Sequence, residues 1–520
     1  MLRLGRSFTV ALLILPATLY AQVPAGATSF HDAAERYRVS HEAGILREFV
    51  DLLAIPNLAT DSVNIRRNAD HLVEMLQQRG VTARLLELEG APPAVFGELR
   101  VPGATRTVVL YAHYDGQPVD PSQWATPPWQ PTLRNKALAE GGLPVPIPAE
   151  NSARVDGTAL VYARSAGDDK GTIVAMLGAL DAMRAAGLHS SVNLKFFFEG
   201  EEEAGSPHLR QMLERHRETL GADAWLFCDG PNHQTGQQQV LLGVRGVTGL
   251  ELTVYGPTRP LHSGHYGNWA PNPGAMMANL IASMRDDDGR IKMARFYDDV
   301  RPISASEHTA IAATPPVDVE LRRSLGLAHT EANDAPLAER IMLPALNVRG
   351  IQVGAIGELA ANVISTEARA SFDFRLVPNQ TPEHVRDLVN AHIRRQGYFV
   401  TGDSVSMEMR LAHPKIARVS WTSGGYPASR APMDLPFARA VVRAVGDGIG
   451  KPPILLPTMG GSIPAYLFEQ VLHTPVIILP IANYDDNQHA ANENLRIQNL
   501  WDGIDVYAGL MGRLGSYWTR

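Results

Sequence analysis

Cysteine is almost absent from this sequence, in which Cys228 is the single thiol among 520 residues. One cysteine excludes an intramolecular disulfide framework and any zinc site built on several cysteines. Cys228 ends an apolar stretch, which favours a buried core residue over a nucleophile. A chain of this length is expected to form about two or three domains with cores large enough to need no disulfides.

The sequence also lacks an excess of positive charge and any later apolar run long enough to cross a bilayer. Its 47 lysines and arginines stand against 54 aspartates and glutamates, which gives a net charge of −7. This balance, without clusters of basic residues, argues against general binding to nucleic acid. The composition excludes collagen, coiled coils and intrinsic disorder. We therefore expect a globular protein without a nucleic-acid partner.

The first 21 residues have the pattern of a secretory signal peptide. Arg3 and Arg6 precede an apolar stretch, residues 8–15, and the small residue Ala21 ends the cleavage region. This stretch is shorter than the roughly 20 residues of a membrane span, which disfavours a stable membrane anchor. A single cysteine is typical of bacterial periplasmic proteins rather than of eukaryotic secreted ones. We expect residues 1–21 to be removed and the protein to be secreted to a bacterial periplasm.

Short apolar runs alternate with amphipathic segments of helical length. This pattern predicts an α/β fold with a mostly parallel sheet flanked by helices. The predicted strands cover residues 107–112, 192–198, 224–227 and 475–480, and the clearest predicted helices cover residues 64–79 and 172–186. In such sheets the ligand crevice lies outside the carboxyl ends of the strands. The residues that follow each strand are therefore the candidates for function.

The middle of the chain has a different pattern from the first part. Apolar and polar residues alternate from Gly249 and again over residues 368–378. Half-buried antiparallel strands have this alternation, and a helical pattern over residues 382–396 follows the second of them. We therefore expect a smaller α+β domain that is inserted into the first. The expected organisation is a catalytic domain, residues 22–243 and 431–520, and an inserted lid or dimerisation domain, residues 244–430.

Histidines and carboxylates follow directly after the predicted strands. In chain order they are His113 and Asp115, Asp168 and Asp169, the glutamates Glu199, Glu201, Glu202 and Glu203, then Asp229, and finally Asp485, Asp486 and His489. Each group alone is typical of a turn, a helix cap or a solvated loop. Together at one edge of a sheet, however, so many carboxylates repel one another unless a cation occupies the site.

Mixed histidine and carboxylate ligands favour zinc, cobalt or manganese over calcium or magnesium. Two histidines with three or four carboxylates exceed the needs of one tetrahedral ion. They match two ions that share a carboxylate and activate a bridging water, with a glutamate next to a ligand as the general base. Other chemistries fit less well, because residues 460–464 lack the final glycine of a nucleophile elbow and the residues around Lys451 lack P-loop spacing. A single-ion site remains an alternative.

Eight motifs occur in an order that resembles the co-catalytic zinc aminoacylase and carboxypeptidase superfamily, above all its carnosinase-like dipeptidase branch. The motifs are HYDGQP, SAGDDKG, EGEEEAGS, CDG, PLHSGHYG, NVIS, FRLVPNQTPE and GGSIP. The resemblance covers nearly the whole mature chain. It implies a site for two divalent metal ions, zinc with manganese or cobalt as alternatives.

The resemblance implies a role for each motif residue. The implied metal ligands are His113 with Glu203 for one ion, Asp229 with His489 for the other, and Asp168 as the bridge between them. Glu202 would be the general base. Asp115 would orient the ligand shell without binding metal.

The resemblance also implies a homodimer. In the family a histidine of the inserted domain reaches the active site of the partner subunit and stabilises the oxyanion, and here that residue is His262. Arg375 would bind the substrate carboxylate through its planar guanidinium, with an ion pair on the sheet face as the structural alternative. Asn362 and Ser462 would make further contacts to the substrate.

Two features depart from the dipeptidase branch. Thr458 and Met459 precede GGSIP where related dipeptidases often have an arginine and an acid, so one polar contact to the substrate is missing or comes from elsewhere. Residues 133–156, rich in proline, glycine and alanine, predict a long surface loop near the crevice that could narrow its entrance.

The sequence thus predicts an exported hydrolase that cleaves the amide bond of dipeptides or short peptides. Glu202 would take a proton from a water that bridges the two ions, and the resulting hydroxide would attack the carbonyl. An N-acyl amino-acid deacylase with the same metals is the alternative enzyme. A periplasmic peptide-binding protein that kept the fold without turnover is the alternative from another class.

Overall fold

The computed structural model describes residues 29–150 and 153–518, so the predicted signal peptide, residues 1–21, lies outside the described residues. Within these ranges, no helix combines the length and the apolar character that a membrane crossing requires.

The first part of the chain forms most of a large sheet and helices that cover it. The strands in this part of the chain are β1 (Thr82–Leu86), β2 (Ala94–Leu99), β3 (Thr107–His113), β4 (Thr132–Arg134), β5 (Leu160–Tyr162), β6 (Asn193–Glu199), β7 (Ala224–Phe227), β8 (Gln239–Leu241) and β9 (Gly243–Val244). Its helices are α1 (Phe30–Leu53), α2 (Ser62–Gln78), α3 (Gly171–Ala185), α4 (Leu209–Arg215) and α5 (Arg217–Leu220).

The middle of the chain forms a second sheet with its own helices. Its strands are β10 (Gly246–Tyr255), β11 (Leu261–His262), β12 (Ala345–Gln352), β13 (Val363–Ile364), β14 (Glu367–Leu376), β15 (Phe399–Thr401) and β16 (Ile416–Trp421). Its helical segments are α6 (Ser263–Tyr266), α7 (Pro273–Met284), α8 (Ala305–Ala313), α9 (Asp318–Ser324), the turn-like α10 (Glu331–Asp334), α11 (Leu337–Arg340), α12 (Pro382–Arg395) and α13 (Met407–Ala412).

The last part of the chain returns to the first sheet. It contributes β17 (Ser429–Arg430), α14 (Pro436–Ile449), β18 (Ile454–Leu456), β19 (Val476–Ile478), β20 (Asn494–Arg496) and α15 (Ile497–Tyr517).

The large sheet has eight strands in the order β1-β2-β6-β3-β7-β19-β8-β18. Its four central strands, β6, β3, β7 and β19, run parallel, whereas β1 and β2 pair antiparallel at one edge and β8 runs antiparallel to β19. The predicted α/β class is confirmed, with a mixed sheet that is parallel at its centre. The strands predicted in this sheet lie within two residues of their observed bounds. Because the central strands are parallel, their carboxyl ends meet at one edge.

Helices α1, α2, α3, α14 and α15 pack on one face of this sheet, and α4 with the segment around Phe468 packs on the other. Helix α3 is buried over most of its length, since α1 and α15 cover the sides that the sheet leaves free. Helices α14 and α15 approach closely, because a Cβ on Gly509 would lie only 2.4 Å from the Cα of Gly448. The core therefore lies on both faces of the large sheet.

The second sheet has five strands in the order β12-β14-β10-β16-β15, with α7 and α12 packed on one face. Side chains alternate along β14, so that Phe372, Phe374 and Leu376 are buried in this core. Arg375 points to the opposite face of the strand. The alternation that predicts half-buried strands in this region is therefore present in the structure.

Residues 133–156 are only partly the surface loop that their composition predicts. Leu133 and Arg134 belong to β4, and the Val145 N–H donates to the Leu133 carbonyl in a hairpin-like return. The segment packs toward α1, where Arg47 donates to the carbonyl of Pro148. None of its described residues is among those that line the cavity described below, and the narrowed entrance stays a prediction. Proline and glycine indicate irregular backbone but not the surface against which it packs.

Candidate active site

Asp168 lies between the two predicted histidine ligands. Its Oδ1 is 2.8 Å from His113 Nε2, and its Oδ2 is 3.2 Å from His489 Nε2. His113 ends β3, Asp168 lies in the turn between β5 and α3, and His489 follows β19. One buried carboxylate thus presents each of its oxygens to a different histidine. A carboxylate that bridges two ions needs this arrangement.

Glu203 and Asp229 complete the ring of candidate ligands. Glu203 Oε2 lies 3.2 Å from His489 Nε2. Two groups of ligand atoms lie within 4.8 Å of one another: those of His113, Asp168 and Glu203, and those of His113, Asp169 and Asp229. The structure therefore brings all five predicted ligands together and adds Asp169, whose carboxylate also accepts the His113 N–H at 3.3 Å.

The contacts favour a different pairing of ligands from the one that the motifs imply. The motifs pair Glu203 with His113 and Asp229 with His489. In the structure Glu203 reaches both histidines, whereas Asp229 groups with His113. His113 with Asp229 and His489 with Glu203 is therefore the better division around Asp168. The pairing depends on the direction in which each ligand side chain points, and the order of the motifs in the sequence does not reveal that direction.

The buried carboxylates of this site outnumber the positive groups that face them. Burial raises the pKa of Asp229 to about 7, and burial together with nearby carboxylates holds the pKa of Glu202 well above its usual range. Hydrogen bonds to Asp168 and Glu203 raise the pKa of His489 to about 11. Asp229 Oδ1 is buried without a hydrogen-bond partner among the described residues. Divalent cations fit such a donor set, because they supply the missing positive charge and bind the orphaned oxygen.

Asp115 holds the turn that carries the general-base candidate. The side chain is fully buried, and its two oxygens each accept one backbone N–H, from Glu202 and from Glu203, at 3.0 Å. Its Oδ1 also lies 3.4 Å from His113 Nδ1. One carboxylate thus contacts both the His113 ring and the turn that carries Glu202.

Glu493 and Arg164 support the backbone around Asp168 and were not among the predicted site residues. Glu493 Oε1 accepts the N–H groups of Gly167 and Asp168 at 3.1 and 3.0 Å. Its Oε2 accepts the Arg164 Nη1 at 2.7 Å and the Ser165 N–H at 3.0 Å. Glu493 comes four residues after His489, so its place in the same acidic and amide-rich run was the only available signal.

Three further acidic residues at the strand ends have partners outside the set of candidate ligands. Glu199 accepts the Tyr111 hydroxyl at 2.7 Å, and Glu201 pairs with His208 at 2.8 Å. Asp485 pairs with Arg496 at 2.8 Å. The short distances to uncharged or basic neighbours explain why these acids can lie beside the candidate ligands without joining them.

A cavity of about 1060 Å³ opens between the two sheets and joins the candidate base to the predicted substrate contacts. Glu202, Asp168 and Asp229 line it, and so do Arg375 and Ser462. Arg375 Nη1 donates to Ser462 Oγ at 2.9 Å, and its Nε donates to Asp373 at 3.2 Å. The guanidinium is thus oriented by its own sheet and faces the same cavity as the candidate ligands.

His262 and Asn362 lie away from this cavity. They stand on neighbouring segments, since the Ser263 N–H donates to the Asn362 carbonyl and His262 pairs with Val363 across β11 and β13. Both side chains are exposed, and His262 Nδ1 accepts the Gly264 N–H at 3.1 Å. Within one chain the structure does not bring these two residues to the predicted site.

Known proteins resemble the chain over most of its length. It is 27% identical over 431 residues to the Cys-Gly metallodipeptidase dug1 of Schizosaccharomyces pombe, which covers 82% of this chain and 83% of the relative. It is 28% identical over 432 residues to the Beta-Ala-His dipeptidase of Homo sapiens, covering 80% of this chain and 76% of the relative.

A solved structure extends the likeness to the fold. The M20 family metallo-carboxypeptidase Sso-CP2 of Sulfolobus solfataricus superposes with a TM-score of 0.73 at 27% identity, covering 91% of this chain and 99% of that one. Residues 109–513 match the profile of peptidase family M20/M25/M40. The resemblance that the motifs indicate is confirmed. The chain belongs to peptidase family M20/M25/M40 and is a metallopeptidase.

Proposed function

We propose that this metallopeptidase hydrolyses the amide bond of dipeptides or short peptides. The observation that carries the proposal is the shared cavity, in which Glu202 and the candidate ligands Asp168 and Asp229 face the same space as Arg375 and Ser462. A small substrate with a free carboxylate could therefore reach the guanidinium and the reacting groups at once. The names of the two similar dipeptidases support this substrate class.

Two divalent ions, zinc with manganese or cobalt as alternatives, would polarise the scissile carbonyl and lower the pKa of a water. The residues that would hold them are His113, Asp168, Asp229, Glu203 and His489. Glu202 would accept a proton from the attacking water and deliver it to the leaving amine. Asp115 would keep Glu202 in place through the N–H groups of its turn, and Arg375 would orient the substrate through its carboxylate.

The test is turnover of free dipeptides, N-acyl amino acids and longer peptides, before and after chelation and with zinc, manganese or cobalt added back. Chelator-sensitive cleavage of dipeptides, restored by the metal, is the expected result. Preference for N-acyl amino acids would indicate the deacylase, and stepwise loss of C-terminal residues from longer peptides would indicate a carboxypeptidase. Metal binding without any turnover would overturn the proposal.

We also propose that the protein is a homodimer in which His262 serves the partner's site. Strand β12 is an edge strand of the second sheet, and the segment after it exposes Ile356 by 89% and Leu359 by 81%. An open edge beside exposed apolar side chains favours pairing with another copy. His262 lies beside β13, which follows this segment. Light scattering should give twice the mass of one chain, and Ile356→Asp with Leu359→Asp should give a monomer.

We further propose that the protein is exported to a bacterial periplasm after loss of residues 1–21. The basic head, apolar middle and small-residue end of this segment support the proposal. The active site lies wholly in later residues, so cleavage would leave it intact.

A further inference from the structure

The two histidines of the candidate metal site lie in different surroundings. The His113 side chain is fully buried, whereas the His489 side chain is 54% exposed. We call His113 with Asp229 the inner half of the site and His489 with Glu203 the outer half. Asp168 belongs to both halves, because its Oδ1 faces His113 and its Oδ2 faces His489.

Two glutamine side chains donate to the carboxylate oxygens of the outer half. Gln488 Nε2 donates to Asp168 Oδ2 at 3.0 Å, and the same oxygen lies 3.2 Å from His489 Nε2. Gln117 Nε2 donates to Glu203 Oε2 at 2.7 Å, and this oxygen also lies 3.2 Å from His489 Nε2. Each carboxylate oxygen that faces His489 therefore accepts one amide N–H.

Both glutamines are carried by backbone that is itself held in place. The Gln488 N–H donates to Asp486 Oδ1 at 2.9 Å, and Asp486 is buried. Gln117 follows Gly116, whose N–H donates to the Asn57 carbonyl at 2.9 Å. A carboxylate oxygen has two lone pairs, so it can accept an amide N–H and bind an ion at the same time. Donors of this kind fix the direction in which a metal ligand points.

The inner half has oxygens without such donors. Asp229 Oδ1 and Asp169 Oδ1 are buried and have no hydrogen-bond partner among the described residues, and both residues group with His113. An ion in the inner half supplies the partner that these oxygens lack, and burial strengthens its attraction to them. An ion in the outer half meets oxygens that already have partners, beside a histidine that is open to solvent. The inner ion should therefore be bound more tightly than the outer one.

We infer that Gln488 and Gln117 are positioning residues for the ion of the outer half, and that this ion is the more weakly bound of the two. The inference rests on the proposed function, since it takes two divalent ions at this site. Loss of either amide leaves one carboxylate oxygen free to turn away from His489, while the contact of Asp168 Oδ1 with His113 remains. The affinity for the outer ion alone should fall, by about 10- to 100-fold, the usual effect of removing a group that orients a metal ligand.

The test is titration of the metal-free protein with zinc in competition with a chromophoric chelator. The wild type should bind two equivalents, the second more weakly than the first. Gln488→Met and Gln117→Met keep the length of the side chain and remove the donor, so each should weaken the second equivalent by about 10- to 100-fold and leave the first unchanged. The first equivalent is an internal standard, because a misfolded chain would lose both.

Gln234→Met is the matched control and should bind both equivalents as the wild type does. Gln234 lines the same cavity, and no hydrogen bond joins it to a candidate ligand among the described residues. An unchanged or tighter second equivalent in either glutamine variant, equal weakening of both equivalents, or two equal affinities in the wild type would overturn this inference and leave the two-ion site standing. A single equivalent in the wild type would overturn the two-ion site of the proposed function, and this inference with it.

Discussion

Replacement of Glu493 by glutamine is expected to disturb the turn that carries Asp168 and so to weaken metal binding. The carboxylate accepts four donors, two on each oxygen. A glutamine keeps one accepting oxygen, and its amide group would then face two donors. If the oxygen stays with Arg164 and Ser165, the amide repels the N–H groups of Gly167 and Asp168. The backbone of the candidate bridging ligand must then move.

The size of the effect follows from these contacts. A hydrogen bond to a charged group contributes about 1.5–3 kcal/mol, so the loss of two lowers the free energy of unfolding by about 3–6 kcal/mol. Loss of a residue that orients metal ligands typically costs about 10- to 100-fold in metal affinity. Burial raises the pKa of Glu493 to about 7, so measurements at pH 8 or above compare glutamine with an ionised carboxylate.

The assay is competition for zinc against a chromophoric chelator, together with thermal unfolding. Glu42→Gln is the matched control, because Glu42 is also buried and accepts Arg38 at 2.7 Å and the Val155 N–H at 2.7 Å, away from the site. Both variants should unfold at lower temperature, and only Glu493→Gln should bind zinc more weakly. Equal zinc affinity in the two variants would refute the positioning role of Glu493.

Four further outcomes are expected. Glu202→Gln should lower kcat by about 10²–10⁴-fold while elemental analysis still finds the wild-type metal content, and retention of most activity would contradict the base assignment. Arg375→Ala should lower kcat/KM by about 10- to 100-fold, mainly by raising KM. Arg369→Ala, on the same strand, should leave kcat/KM unchanged, and equal effects of the two variants would argue against binding of the substrate carboxylate by Arg375. Co-expression of Glu202→Gln and His262→Ala chains in equal amounts should restore about a quarter of wild-type activity. Half of the dimers then contain one chain of each kind, and each such dimer has one intact site out of two. No restoration would place His262 outside the partner's site. N-terminal sequencing of the periplasmic protein should begin at residue 22, and an intact residue 1 there would contradict cleavage.

The parts of the fold that the sequence predicts are those with a strong local pattern. Residues 224–227 form β7 with the predicted bounds, because four apolar residues are followed at once by Cys228 and Asp229. Histidines and acids gather at one edge because the central strands are parallel, and this follows from the alternation of strands and helices. Positions after strands thus identify the group of histidines and acids that contains the candidate ligands, and the resemblance selects the five ligands from this group.

The candidate ligands are held in place by contacts between residues distant in the chain, which no local sequence pattern predicts. Arg164 and Glu493 are 329 residues apart, and the role of Glu493 is to accept backbone N–H groups. Any acid in a polar turn has the same local appearance, so Glu493 could not be told from its neighbours. The division of ligands between two ions depends likewise on side-chain direction, which places Glu203 3.2 Å from His489.

Residues 301–343, called the cap here, connect the second sheet with the active site, since several of them line the cavity. Its helices are short, and α9 buries none of its residues, so their sequence predicts little more than a polar connection. Their position is determined by tertiary contacts such as the buried pair of Glu307 and Arg430, which join segments that are distant in the chain. Arg430 lies on β17, which pairs with β9 in a separate two-stranded sheet, so the pair joins this segment to the point where the chain passes from the large sheet to the second one. Removal of one partner would leave a buried charge, which is costly, so we expect residues 301–343 to stay attached to β17 when the second sheet moves.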